Sequence, residues 1–231
     1  MSPEKAVDGT VSLPISNPSR ECSNFASKEF VTFQPGEFYQ LCLNGLQETS
    51  SKAIADLDLD KQLKFLGAAF NITNRVNDVT SYEALYHEQV ANEPEPVRQF
   101  SLRFVTPTAF SQNRLYLPLP VPTLMFRSWL ERWNHFAPVY LGSDDLIGYL
   151  SEAIALSRHR IQTRSVQVYS SYITGFTGDV SLRTLSRIDP LLANVANLLV
   201  QYAQFTGTGT KTRLGMGFTE LCLNSEANQS T

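Results

Sequence analysis

Two periodicities alternate in a fixed order along residues 98–223, and that order limits the possible folds more than any other feature of the chain. Phe100, Leu102 and Phe104 alternate with Ser101 and Arg103, the period-two pattern of a half-buried strand. Pro118, Pro120 and Pro122 lead into a stretch whose apolar residues Met125, Phe126, Trp129, Leu130 and Trp133 fall at helical spacing. Trp129 and Trp133 share one helical face, which assigns both to the core. Arg127 and Glu131 lie at i,i+4 on the other side, and Pro138 closes the helix. A second helix is expected from Asp144 to about Arg160, with acids first and Arg158 and Arg160 last, the order that suits a helix dipole. Strands are expected around Val166–Tyr169 and over Ile173–Leu185. Asp189-Pro190 reads as an N-cap followed by proline at the first helical position. The helix it opens carries Leu191, Leu192, Val195, Leu198, Leu199 and Tyr202, stops at Gly207, and is followed by a last strand over Phe218–Leu223. Strand, helix, extra helix, strand, strand, helix, strand is the ferredoxin-like order of two split βαβ units, an α+β fold with helices on one sheet face.

The first half is less regular. Residues 1–29 form a polar, irregular N-terminal segment in which Val11, Leu13 and Ile15 alternate as one short strand. Residues 30–91 read as a partial ferredoxin-like (RRM-like) domain: a strand over Phe38–Leu43, a short helix opened by Ser50, Ser51 and Lys52, a strand over Leu63–Ile72 and a helix over Ser81–Gln89. A leading strand–helix pair is not visible. Residues 92–97, with Pro94 and Pro96, read as a linker because proline breaks both helix and sheet. The second ferredoxin-like domain then covers 98–223, and 224–231 is a tail.

Composition narrows the class. The chain has 231 residues, 42% of them hydrophobic and 18% charged, which suits a globular protein with a real core. It holds no apolar run of ~18 residues and no signal-peptide h-region. Cys22, Cys42 and Cys222 are scattered, which argues against a disulfide framework or a zinc site and for a reducing cytoplasm. Residues 1–97 carry 7 basic and 14 acidic side chains (7 − 14 = −7), whereas residues 98–231 carry 12 and 8 (12 − 8 = +4). A basic half on an acidic protein points to a polyanion partner, or to a solvated surface with none.

The segment Phe205–Gly217 holds Gly207, Gly209, Gly215 and Gly217 around Lys211 and Arg213. Glycines at this density let a backbone bend tightly and bring its N–H groups near phosphate oxygens, while the two cations add charge. A nucleotide P-loop requires strand, G-x-x-x-x-G-K-[ST], helix; here Lys211 follows Thr210 and the order is helix, loop, strand. A dinucleotide fingerprint fails at Thr212 and likewise lacks the following helix. A purely structural reading also exists, with a C-cap at Gly207 and a bulge at Gly215 or Gly217.

This G-x-G, five residues, G-x-G pattern resembles the C-terminal loop of the repeat-processing CRISPR endoribonucleases (the Cas-six type of the RAMP superfamily). Phe104–Phe110, Tyr116–Pro122, Trp129–Asn134 and Ile173–Gly178 resemble further stretches of that family. The resemblance is close over 98–223 and loose over 30–97. It implies a pair of ferredoxin-like domains that bind CRISPR repeat RNA, and cleavage without metal or cofactor by attack of a ribose 2′-hydroxyl on the adjacent phosphate. The RNA-binding residues it suggests are Gly207, Gly209, Lys211, Arg213, Gly215 and Gly217, joined by Arg158 and Arg160. Such cleavage needs a base, an acid and a cation. In the family the base tends to be a histidine near the first helix; here only His87, His135 and His159 occur, so no general base is assigned. His135 reads as a dipole partner at a helix end or a catalytic group, His159 as solvated or an RNA contact, and His87 as a surface residue. Tyr39, Tyr116 and Tyr169 are candidates to stack on a base or to sit in the core. The alternatives are a repeat-RNA-binding subunit that does not cut and an interaction module with no RNA role. CRISPR effector-complex subunits are expected partners, an incomplete first sheet leaves an open edge suited to a homodimer, and no membrane role is expected.

Overall fold

A computed structural model describes residues 15–16, 33–57, 62–65, 67–185 and 187–222. In the first half the elements are short. β1 (Ile15–Ser16) pairs with β2 (Gln40–Leu41), α1 spans Glu48–Ala55, and β3 (Gln62–Phe65) pairs with β4 (Ala68–Asn71). The expected strand over Phe38–Leu43 thus shrinks to two residues, and Phe38 is exposed. The expected strand over Leu63–Ile72 is a hairpin instead, because Gly67 (φ +82°) turns the chain midway. Residues 11–14, Cys22, the tail 224–231 and the segment on which a leading strand–helix pair would fall lie outside the described residues.

α2 (Tyr82–Tyr86) starts where Ser81 Oγ accepts the Ala84 N–H at 3.0 Å, and it runs on as a π-helical turn over His87–Ala91. This segment is joined to the second half. Val90 is buried in the main core, and Tyr82, Trp133 and Tyr202 pack together with ring centroids 5.3–5.8 Å apart. Asn194 donates to the Pro94 carbonyl at 3.0 Å, which pins the proline-rich stretch expected to be a linker to the helix beneath it.

The second half carries the main sheet. Its strands are β5 (Gln99–Thr108), β8 (Ile154–Val168), β9 (Ser171–Thr184) and β10 (Thr219–Leu221), arranged antiparallel in the order β10-β5-β9-β8. The first strand of the unit lies beside the fourth and third, and the second lies on the edge, which is the ferredoxin-like arrangement. A small hairpin of β6 (Phe110–Gln112) and β7 (Leu115–Leu117) interrupts the path to α3 (Pro122–Phe136). α4 (Asp144–Ala153) and α5 (Pro190–Thr206) complete the helical layer. Asp189 caps α5, accepting from Leu191 N–H at 2.9 Å. Met125, Phe126, Trp129, Leu130 and Trp133 are all buried in the main core, as their spacing requires.

Two expectations fail here. The second helix does not reach Arg160: it ends at Ala153, and Arg158 and Arg160 lie on β8. Pairing with β9 along the strand's length, from Ile154↔Thr184 to Val168↔Ser171, outweighs a weak helical preference. The dipole argument for those arginines falls with the helix. Arg127 pairs across to Asp144 at 2.9 Å rather than along its own helix to Glu131.

Candidate nucleic-acid interface

The glycine-rich segment leaves α5 at Gly207 (φ +68°), whose N–H still bonds the Ala203 carbonyl at 2.8 Å. From there it folds back on the protein. Thr208 N–H donates to the Gly217 carbonyl at 2.8 Å, Gly217 N–H to Pro107 at 3.1 Å, and Thr210 N–H to Ala109 at 2.8 Å. Gly209 N–H is taken by Ser128 Oγ of α3 at 2.9 Å. A Cβ on Gly209 would meet the Ala109 carbonyl oxygen, and one on Gly217 would meet that of Thr208. These glycines are therefore sites of close backbone packing. The expectation that the loop's N–H groups face phosphate is corrected for Thr208, Gly209, Thr210 and Gly217, whose hydrogens are bonded inside the protein.

What the loop presents outward is charge. Lys211 takes a left-handed conformation (φ +58°) and opens a 3-10 turn over Thr212–Leu214. That turn buries Thr212 and leaves Lys211 and Arg213 exposed on either side of it. Gly215 (φ +84°) closes the turn and returns the chain to Met216, which is buried. Beneath the loop, Trp129 Nε1 donates to Thr208 Oγ1 at 2.9 Å, and Thr208 Oγ1 lies 2.8 Å from Thr219 Oγ1.

Sequence reasoning missed the residue that fastens this loop to α3. The Arg132 guanidinium donates to Ser128 Oγ at 2.7 Å and to the carbonyls of Gly207 and Gly209. Burial lowers its pKa from the ordinary arginine value, partly countered by the nearby Tyr202 and Glu131. Its hydrogen-bond acceptors are carbonyls and a hydroxyl, which carry no formal charge, so its own charge adds to the local field. The i−4 serine at 128 was legible as a helical neighbour; the loop carbonyls were not.

The loop, α3, the start of β6 and the tip of the β8–β9 hairpin border a groove of about 810 Å³. Its wall includes Lys211, Arg213, Arg127, Arg132, His135 and Tyr169, with Glu131 as the one carboxylate among its lining residues. His135, at the last turn of α3, packs edge-on against Phe136 at 4.6 Å. Arg158 and Arg160 are not brought here. Arg160 ends a row across all four strands, Glu220–Arg103–Asp179–Arg160, on the sheet face opposite the buried Val180 and Leu102. In that row Arg103 and Asp179 form an ion pair at 2.8 Å, which raises the arginine's pKa. Among the described residues no group of three or more histidine, cysteine and carboxylate side chains is placed to hold a metal ion.

Residues 102–219, which span the sheet, α3 and the whole loop, match the family model for CRISPR-associated endoribonuclease Cas6. The chain belongs to the Cas6 family. It is 28% identical over 159 residues to a Cas6 endoribonuclease of Mycobacterium tuberculosis, covering 68% of this chain and 48% of that protein. A Cas6 endoribonuclease of Streptococcus thermophilus is 27% identical over 130 residues, 56% of this chain and 53% of that protein. The chain thus spans about half the length of the curated relatives it matches. Among solved structures, a Cas6 product complex superposes with a TM-score of 0.72 at 20% identity, over 95% of this chain and 84% of that one. Cas6 of Thermus thermophilus superposes at 0.54 with 28% identity, over 62% of this chain and 58% of that one. The Cas6 fold, a mixed α+β architecture of ferredoxin-like type, is shared across nearly all of this chain. Among the described residues no helix is long and apolar enough to cross a membrane.

Proposed function

We propose that this Cas6-family chain binds the repeat RNA of CRISPR transcripts and takes part in processing the precursor by metal-independent cleavage. The observation that carries the reading is the groove, where four basic side chains and an exposed tyrosine converge around a loop fixed in place by its glycines. A concave basic wall with an aromatic beside it suits a polyanion whose bases are accessible. Lys211 and Arg213 are the proposed phosphate contacts. Gly207, Gly209 and Gly217 shape the loop that presents them, and Gly215 supplies the left-handed turn. Arg158 and Arg160 would extend the contact along the outer strand.

In the cleavage step the 2′-oxygen bonds to phosphorus as its proton passes to a base. The bond from phosphorus to the 5′-oxygen then breaks, and that oxygen takes up a proton from an acid. Cations near the non-bridging oxygens stabilise the charge that builds there. The same reading divides the protein into domains at 30–91 and 98–223 with a junction at 92–97, puts it in the cytoplasm, and allows effector subunits or a second copy as partners.

The test is incubation with the cognate repeat RNA in EDTA. Binding followed by cleavage supports the reading in full. Binding without cleavage identifies a subunit that holds the RNA but does not cut it. Absence of binding at moderate salt overturns the proposal.

A further inference from the structure

Resting on the RNA-binding reading, we infer that the groove takes one unpaired nucleotide of the bound RNA, its base stacked on Tyr169 and its phosphate held by Lys211 and Arg213. Tyr169 stands in the two-residue turn between β8 and β9 at φ +54°. A residue with a side chain is disfavoured there, and such turns select glycine, asparagine or aspartate. Its side chain contributes nothing to the core in return, being 79% exposed. An aromatic kept in a strained position and open to solvent is an outlier that asks for a use.

The surroundings supply one. Val168, directly before Tyr169, packs with Ile173, Ala109 and Met216 in a small core of its own. Met216 belongs to the glycine-rich segment and Ala109 accepts that segment's Thr210 N–H, so this core bolts the hairpin tip to the loop that carries Lys211. Gln167 Nε2 also donates to the Tyr169 carbonyl at 3.1 Å, which fixes the turn. The ring and the cations are thus held on one rigid frame. Arg132 adds a further positive charge to the groove, and His135 offers a hydrogen-bonding edge. The groove's volume falls in the range of small-ligand sites, and a stacking ring beside cations is the recognition mode of single-stranded rather than paired nucleic acid.

The experiment uses the full chain and repeat RNAs carrying 2-aminopurine at each unpaired position in turn. One position should be quenched on binding by the wild type and by Tyr169→Phe. Tyr169→Asn places a residue that favours the left-handed turn, so it should melt no lower than wild type. It should nevertheless lose the quenching and about tenfold in affinity. The salt dependence of binding should stay as in wild type, since stacking releases no counterions. Wild-type affinity and quenching in Tyr169→Asn would overturn the inference while leaving RNA binding standing. A wild-type protein that binds no repeat RNA would overturn both.

Discussion

Arg132 sets the geometry of the site more than any residue whose charge is exposed. Its guanidinium reaches Ser128 Oγ and two loop carbonyls at once, a fork that lysine's single ammonium cannot reproduce. Arg132→Met should lower stability by about 2 kcal/mol, read as a shift in the urea midpoint, because charge-assisted bonds disappear and the carbonyls are left under-satisfied. Gly209 and Gly217 show what a sequence can and cannot say at this scale. Their spacing signalled a special backbone, correctly. It could not say whether the missing side chains make room for a ligand or for the protein itself. The carbonyls of Ala109 and Thr208 decide for the protein, and they come from the end of a strand about a hundred residues earlier and from across the loop. Lys211 and Arg213 were legible as cations set between the two glycine pairs; that both are exposed while Thr212 between them is buried is decided by the 3-10 turn.

Among the elements, α4 holds a glycine whose replacement should help. Gly148 lies mid-helix with nothing within 4 Å of where a Cβ would sit. Gly148→Ala should therefore stabilise the protein by about 1 kcal/mol in thermal or urea unfolding. Where α4 ends was the clearest misreading of the sequence. The run Ser157-Arg158-His159-Arg160 has no strong local preference, so its state is chosen by β9 lying alongside. Local propensity cannot see a partner that follows in the chain. By contrast, α3 and α5 were readable because their apolar stripes, their prolines at the first turn and the Asp189 cap all agree. The hairpin at Gly67 was missed because a largely apolar run concealed the turn.

Across the whole molecule, charge and topology have separate effects. The basic residues facing the groove should make binding of repeat RNA fall steeply with salt. Changing Lys211 and Arg213 together to alanine should weaken binding and flatten the plot of log affinity against log salt by about one unit for each phosphate no longer neutralised. An unchanged slope would remove the loop from the interface. The sheet has a further consequence. β10 pairs with β5, Thr219 opposite Phe104, 219 − 104 = 115 residues apart. Pairings so distant in sequence form late, after the local hairpins and helices. During synthesis the β8–β9 hairpin and α3 can be in place while one flank of β5 still waits for its neighbour, an unpaired edge open to wrong partners. The glycine-rich loop lies between α5 and β10, so the turn that carries Lys211 and Arg213 is fixed only when that distant pairing closes. A nascent chain on the ribosome would acquire its core before that turn is set in place.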